Sequence, residues 1–494
     1  MVKSVIGEET QLKSLENRLF QTSIPAQVGI VVGKLNPNSD RAFVYDLIPT
    51  PPTDGGGPPC SLRSSEVGGG GGGGGREKKK KGGSSVEPPP SLSIDADWVA
   101  EHARQVSRML MGGMHVVGVY VWASEASYKA TSPSLLSQTV RGVAQATPWY
   151  ERESDERLLV HISYGPSRWV CRICTVASAN MQPCDFKMGK LLSSLQTYQC
   201  MYNFEIRLPI FHAVALDSNT FKNVLRLGID RHAKDLQTAK ALIDAKLVTE
   251  DQHIHSEGLH KVELLLPFMR DVAPEACSSD NVAGLIIFTG AICASAYLGP
   301  KEPVAQAVSD IKADILKSLR SRLDIVCDEA EDKVELTSKN DMDASDDANK
   351  SIHQIILHQL RKPYSLHFPR RVLVPWLAGV FICDYLQPLE SFEDLKDRCR
   401  EMMSMESSIE SSSILELEKE ETTSLVAKSF WDVVCGDSAN HLDESKDAKV
   451  SARKVDNGRS KTTSFNLVAS IFVLLAALIV GWAITVLGSA KPAH

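Results

Sequence analysis

This 494-residue chain has no excess of positive charge: 54 Lys+Arg stand against 61 Asp+Glu, giving a formal net charge of −7 and a pI near 6.0. A general nucleic-acid binder needs a basic surface, so that class is excluded. The opening MVKSVIGEETQLK has no apolar run of the kind that starts a secretory signal, and none is expected. Regular cysteine spacing is also missing. Eleven cysteines, an odd number, scatter from Cys60 to Cys435, which argues against a disulfide framework and for reduced thiols in the cytosol.

Catalytic signatures are equally scarce. There is no G-x-S-x-G, no Walker loop and no Rossmann glycine pattern, and the poly-glycine run precedes no helix start. Cys171-x-x-Cys174, with Cys184 nearby, has no second C-x-x-C or H-x₃-H pair to complete a four-ligand zinc site. Positions three apart on a strand also face opposite sides, so these thiols are read as structural. His253-Ile-His255 has the i, i+2 spacing of some metalloproteases. The following SEGLHKVELLLPFMR does not supply the serine and aspartate such a site requires. No metal or other cofactor is expected, although a Cys–His thiol hydrolase stays open as the minor enzymatic alternative.

What is present points to a folded chain of two or three domains, with 43% hydrophobic and 23% charged residues. Composition is uneven: residues 55–83 hold 13 of the 32 glycines and residues 49–90 hold 8 of the 24 prolines. The span 52–92, with Gly68–Gly75 followed by Lys78–Lys81, is expected to be a disordered insert within a domain. It cannot bury enough apolar surface to offset its chain entropy. Its lysines could also touch a membrane or RNA.

Around that insert, QVGIVVGKL (27–35) and AFVYDLI (42–48) read as strands about a turn. Val99, Ala103, Val106 and Leu110 form one stripe of a helix at about 95–111, with Asp95 and Asp97 at its positive end and Gly112-Gly113 after it. HVVGVYVW (115–122) reads as a buried strand, and 158–164 with 168–177 as a hairpin turning at Gly165-Pro166. Residues 1–210 are thus an α/β or α+β layer domain. A second α/β region spans 215–400, with a helix through Val304, Val308, Ile311, Ile315 and Leu319 and strand material at 371–386. The acidic stretch 328–350 reads as an exposed loop. The Ser/Glu-rich segment 401–464 reads as a flexible tether.

The C-terminal region is more specific. Leu467–Leu487 is 21 residues without a charge, about 31 Å of helix at ~1.5 Å per residue, enough to cross a bilayer core. Phe472 and Leu475 lie within it, and Trp482 suits the interfacial belt. Lys449, Arg453, Lys454, Arg459 and Lys461 precede it, which keeps the N-terminal bulk in the cytosol. The expectation is a tail anchor in the lipid bilayer. Just before it, Trp431-Asp-Val-Val434 is a candidate partner motif in which Trp431 and Val434 would add a strand to a partner's sheet. A weakly docked amphipathic turn is the plainer reading.

The helix Glu101–Leu110 (EHARQVSRML), the following GG and VVGVYVW, the opening VIGEET, the strand pair ending in IPTPP and the single C-terminal span together resemble the odorant-response-abnormal protein four family. The resemblance implies a non-enzymatic protein of the endoplasmic reticulum that supports maturation or trafficking of membrane receptors. It also implies association with the cysteine protease specific for the ubiquitin-fold modifier. The poly-glycine insert departs from the family pattern. The N-terminal order further resembles an MPN domain, the fold of metal-dependent deubiquitinases, with its ligands gone. Ala26 stands where active members carry a glutamate, and Val121 and Ala123 stand where their histidines would follow the strand. A pseudoenzyme adaptor is therefore expected, with a stand-alone receptor trafficking chaperone as the alternative.

Overall fold

In the computed structural model the described residues are 3–35, 40–63, 89–147, 155–211, 221–249, 258–267, 282–337, 364–387, 390–405, 409–418 and 424–429. The chain opens with β1 (Ser4–Glu8), α1 (Glu9–Thr22), β2 (Ala26–Leu35), β3 (Arg41–Pro49), β4 (Cys60–Arg63) and β5 (Ser91–Ile94). It continues with α2 (Ala96–Met109), β6 (His115–Ala123), α3 (Glu125–Ala130), α4 (Pro133–Ala146), β7 (Glu156–Tyr164), β8 (Ser167–Thr175) and β9 (Asn180–Gly189). Seven of these strands close into a barrel in the order β1-β3-β2-β6-β7-β8-β9.

Two-residue periodicity gives the barrel wall two apolar faces. Tyr120, Trp122, Leu158, Val160 and Ile162 turn to one side, where Leu12, Leu15 and Leu19 of α1 cover them. Val119, Val121, Ala123 and Leu159 turn to the other, toward α2 and α4. The expected helix at 95–111 is α2. Asp95 caps it, its Oδ1 accepting from Trp98 N at 3.0 Å, which satisfies one of the helix's orphan donors.

The second layer comprises β10 (Gln196–Phe211), α5 (Phe221–Thr238), β11 (Lys240–Ile243), β12 (Lys246–Leu247), β13 (Leu259–Leu265), β14 (Val282–Leu298), α6 (Val304–Thr337), β15 (Tyr364–His367), β16 (Arg370–Leu377), β17 (Val380–Leu386), α7 (Phe392–Met403) and β18 (Ser424–Ser429). Its sheet runs β12-β11-β13-β10-β14-β18-β15, while β16 and β17 form a separate hairpin. Ile311, Ile315, Leu319 and Leu323 of α6 join the apolar core of this sheet.

The adjacent ridge of α6 carries Asp310, Asp314, Ser318 and Arg322 at four-residue spacing, all buried. Asp310 meets Lys34 of β2 at 3.0 Å, and Lys34 also donates to the carbonyl of Tyr297. Asp314 takes Arg371 of β16 bidentately, at 3.0 and 2.7 Å. Arg322 pairs with Glu418. One helix thus holds charged partners from the barrel, the hairpin and the segment after α7. Gly112 and Gly113 (φ +68° and +80°) let the chain pass close by. A Cβ on the first would meet the Tyr297 ring, and one on the second the Asp310 carboxylate.

Four sequence expectations change here. The hairpin β16–β17 and α7 pack on the α2 side of the barrel in one shared core, so layers and sequence halves do not coincide at 210. Within the span expected as an insert at 52–92, Cys60 and Leu92 are buried and β4 pairs with β5. The acidic stretch expected as a loop from 328 begins instead as helix, since α6 continues to Thr337. Glu, Lys, Ala and Leu favour helix there more than like charge opposes it. Within 401–464, Leu415 exchanges backbone hydrogen bonds with Leu373 at 2.9 Å, Glu418 is buried, and β18 pairs with β14 and β15. That part of the expected tether is folded. Among the described residues no helix is long and apolar enough to cross a membrane. Leu467–Leu487, Trp431, Val434 and His253–His255 lie outside those residues.

Candidate functional site

The positions singled out by the comparison with metal-dependent deubiquitinases do come together. Ala26 and Val28 of β2 sit opposite Ala123 and Val121 of β6. All four are buried in the apolar core on the α2 side of the barrel. Methyl and isopropyl groups offer no lone pair, so this spot cannot hold zinc. Among the described residues no group of three or more His, Cys, Asp or Glu is placed to hold a metal ion.

Next to this inert patch lies a polar cleft of about 380 Å³. The β7–β8 ladder sets Leu159 opposite Arg172, His161 opposite Val170 and Ser163 opposite Arg168. These six residues therefore share one face. Tyr128, on α3, lies over them. Its ring stacks on His161 with centroids 3.8 Å apart and an 8° interplanar angle. Arg172 Nη1 donates to the Tyr128 hydroxyl at 2.9 Å, and its guanidinium lies 5.5 Å from the ring centroid. Ser124 holds α3 in place by accepting from Ser127 N at 3.0 Å.

His161 is buried, and its Nε2 donates to the carbonyl of Ala123 at 3.2 Å. A carbonyl can only accept, so the proton sits on Nε2 and Nδ1 keeps its lone pair. Burial pushes the imidazole down to about 4, against a weaker upward pull from that hydrogen bond, so the ring is neutral at pH 7. Ser163 lines the cleft, and its buried hydroxyl has no hydrogen-bond partner among the described residues. Arg168 stands exposed at the cleft's edge. Glu125 is already engaged by Lys129 at 2.8 Å. The cleft therefore offers two guanidiniums, a spare hydroxyl and one imidazole acceptor.

The thiols are mostly inert. Cys171 and Cys174 belong to opposite faces of β8, one in each of the barrel's apolar layers, as the three-residue spacing implies. Burial pushes Cys60, Cys200, Cys293 and Cys399 up to about 12 and Cys174 to about 11, which removes the thiolate a nucleophile needs. Cys184 differs: it faces Cys171 across β8–β9, is half-buried, and is shifted downward by the hydrogen bond from Cys171.

The model of the family described as ODR4-like, "Odorant response abnormal 4-like", matches residues 29–414. This chain belongs to the ODR4-like family. The human protein odr-4 homolog is 25% identical over 364 residues, covering 68% of this chain and 74% of that relative. The Dictyostelium discoideum homolog is 22% identical, covering 61% of this chain and 62% of that relative. Among solved structures, UfSP from C. elegans is 6% identical, covers 82% of this chain and 57% of that one, and has a TM-score of 0.35, a likeness too slight to carry an argument. The ODR4-like match takes in α2, β6, most of the strand pair on which the sequence resemblance rested and the whole cleft, while VIGEET and Leu467–Leu487 lie outside it.

Sequence reading missed the cleft. The β7–β8 register brings His161 and Arg172 to one face, and Tyr128, more than thirty residues earlier, reaches them only because α3 lies over that face. One signal was available: His161 and Ser163 interrupt the apolar alternation of LLVHIS on one face only.

Proposed function

We propose that this ODR4-like protein is a non-catalytic adaptor, tail-anchored in the endoplasmic reticulum membrane with its folded body in the cytosol. It supports trafficking of membrane receptors, and it recruits the cysteine protease specific for the ubiquitin-fold modifier through an MPN-like, metal-free barrel. The observation that carries this reading is the family match across 29–414. The charge-free run Leu467–Leu487 and the cations before it support the anchor. The apolar residues at Ala26, Val121 and Ala123 support a pseudoenzyme. The mechanism is effective concentration, since an anchored dock confines a soluble partner near membrane-bound clients.

The test is affinity purification of the full chain from detergent-solubilised membranes, beside a variant lacking 467–487. Stoichiometric recovery of the modifier protease, with the variant released from carbonate-washed membranes, supports the reading. Recovery of receptors without the protease replaces it with a stand-alone trafficking chaperone. Full membrane retention of the variant removes the tail anchor.

A further inference from the structure

Four side chains in the cleft beside α3 are left unused by the adaptor role. Arg168 and Arg172 stand on one face of the β7–β8 hairpin and line the same cleft, where two cations favour an anion. Ser163, almost wholly buried, presents a hydroxyl with no partner among the described residues. His161 keeps an acceptor at Nδ1, because its Nε2 proton is committed to Ala123. A bare anion would satisfy the donors and be repelled by that lone pair. A ligand that complements all of them carries a carboxylate with an N–H donor close beside it.

We propose that this cleft captures the free C-terminal carboxylate of a peptide. Arg168, Arg172 and the Ser163 hydroxyl take the carboxylate, and Nδ1 of His161 accepts from the terminal residue's amide N–H. Leu136 and Val170 line the apolar side, where the last side chain lies. The volume of about 380 Å³ is within the ~300–1,000 Å³ range of small-ligand clefts. Capture of a chain terminus by fixed donors is a recurring recognition mode, and guanidiniums suit it because their charge and planar fork match a carboxylate. Tyr128 holds the cleft in shape, stacked on one of these groups and bonded to another.

The inference does not depend on the adaptor reading, and its test does not read protease or receptor binding. The detergent-solubilised full chain is titrated into an N-terminally fluorescein-labelled pentapeptide pool, randomised at its last two positions, and anisotropy is followed. The same pool with C-terminal amides is the control. The free-acid pool is expected to bind at least ~10-fold more tightly than the amide, the scale of one charge-assisted hydrogen bond. Arg168→Gln, at an exposed position that leaves packing intact, weakens the acid pool by ~5-fold or more, and Ser163→Ala weakens it to a smaller extent. Equal binding of acid and amide overturns the proposal, as does no binding by either pool or an Arg168→Gln variant that binds like the wild type. Competition by inorganic phosphate or acetate as effective as by the unlabelled free-acid pool also overturns it, leaving a simple anion site.

Discussion

Replacing Asp314 by alanine should be among the most damaging single changes on α6. Its carboxylate takes Arg371 at 3.0 and 2.7 Å and also accepts from Ser295 N at 3.2 Å, and both charged side chains are only 1% exposed. Without it, Arg371 keeps the carbonyl of Cys293 at 3.0 Å and the sulfur of Cys383 at 3.3 Å, with no counter-charge bonded to it. Removing one partner of a buried pair costs ~3–5 kcal/mol. Stranding the Ser295 amide adds ~1–3 kcal/mol. The two overlap, so a loss of about 4–6 kcal/mol is expected. Swapping both partners for apolar residues (Asp314→Leu with Arg371→Met) removes the uncompensated charge and should recover at least ~2 kcal/mol of it. Urea unfolding of the detergent-solubilised chain, followed by circular dichroism, measures both variants. A single substitution costing under ~1 kcal/mol would refute the reasoning. Equal losses in the single and double variants would show that the damage is steric rather than electrostatic.

Other predictions follow from the same packing. His102 is buried, with Nε2 donating to the Met402 carbonyl at 2.9 Å, and burial pushes it from 6.5 down to about 4. The unfolded chain therefore binds more protons between those values. Stability is full above about pH 6.5 and falls by up to about 3 kcal/mol toward pH 4, and His102→Gln should flatten that slope in acid-titrated unfolding curves. Gly113→Ala would drive a Cβ into the Asp310 carboxylate from a left-handed backbone, forcing it off Lys34. A loss of ~3 kcal/mol or more is expected, read as a lower unfolding midpoint. Among the described cysteines Cys184 should be alkylated first by a maleimide under native conditions, and peptide mass mapping that finds Cys174 or Cys200 ahead of it would contradict the burial argument.

Local structure was largely legible in the sequence. The apolar alternation of β2, β6 and β7, the stripe on α2 and the acids at its start need only neighbouring residues, and the opposed faces of Cys171 and Cys174 follow from backbone periodicity alone. The long-range assembly was not legible. Nothing in the composition of 401–424 sets the buried Glu418 apart from the exposed Glu410; only the buried Arg322 opposite it does. Likewise α6 shows an apolar stripe in sequence, while the value of its Asp310, Asp314 and Arg322 ridge depends on cations and an acid supplied from residues 34, 371 and 418. The cleft suffered most, because its key side chains meet only through the register of β7 and β8 and the placing of α3 over that face.

The packing of β16, β17 and α7 onto α2 has a consequence for how this protein is made. The barrel strands are complete by Gly189, yet the face of α2 that carries His102 waits for cover from residues 372–414. At the ~5–20 residues per second of translation, that surface stays bare on the nascent chain for roughly 10–40 seconds. Chaperones at the ribosome exit would have to shield it during that interval. A message cut short anywhere between codons 190 and 370 would yield a product with its helices in place and their outer face open. Quality control should recognise such a product as unfinished, however well its first half had folded.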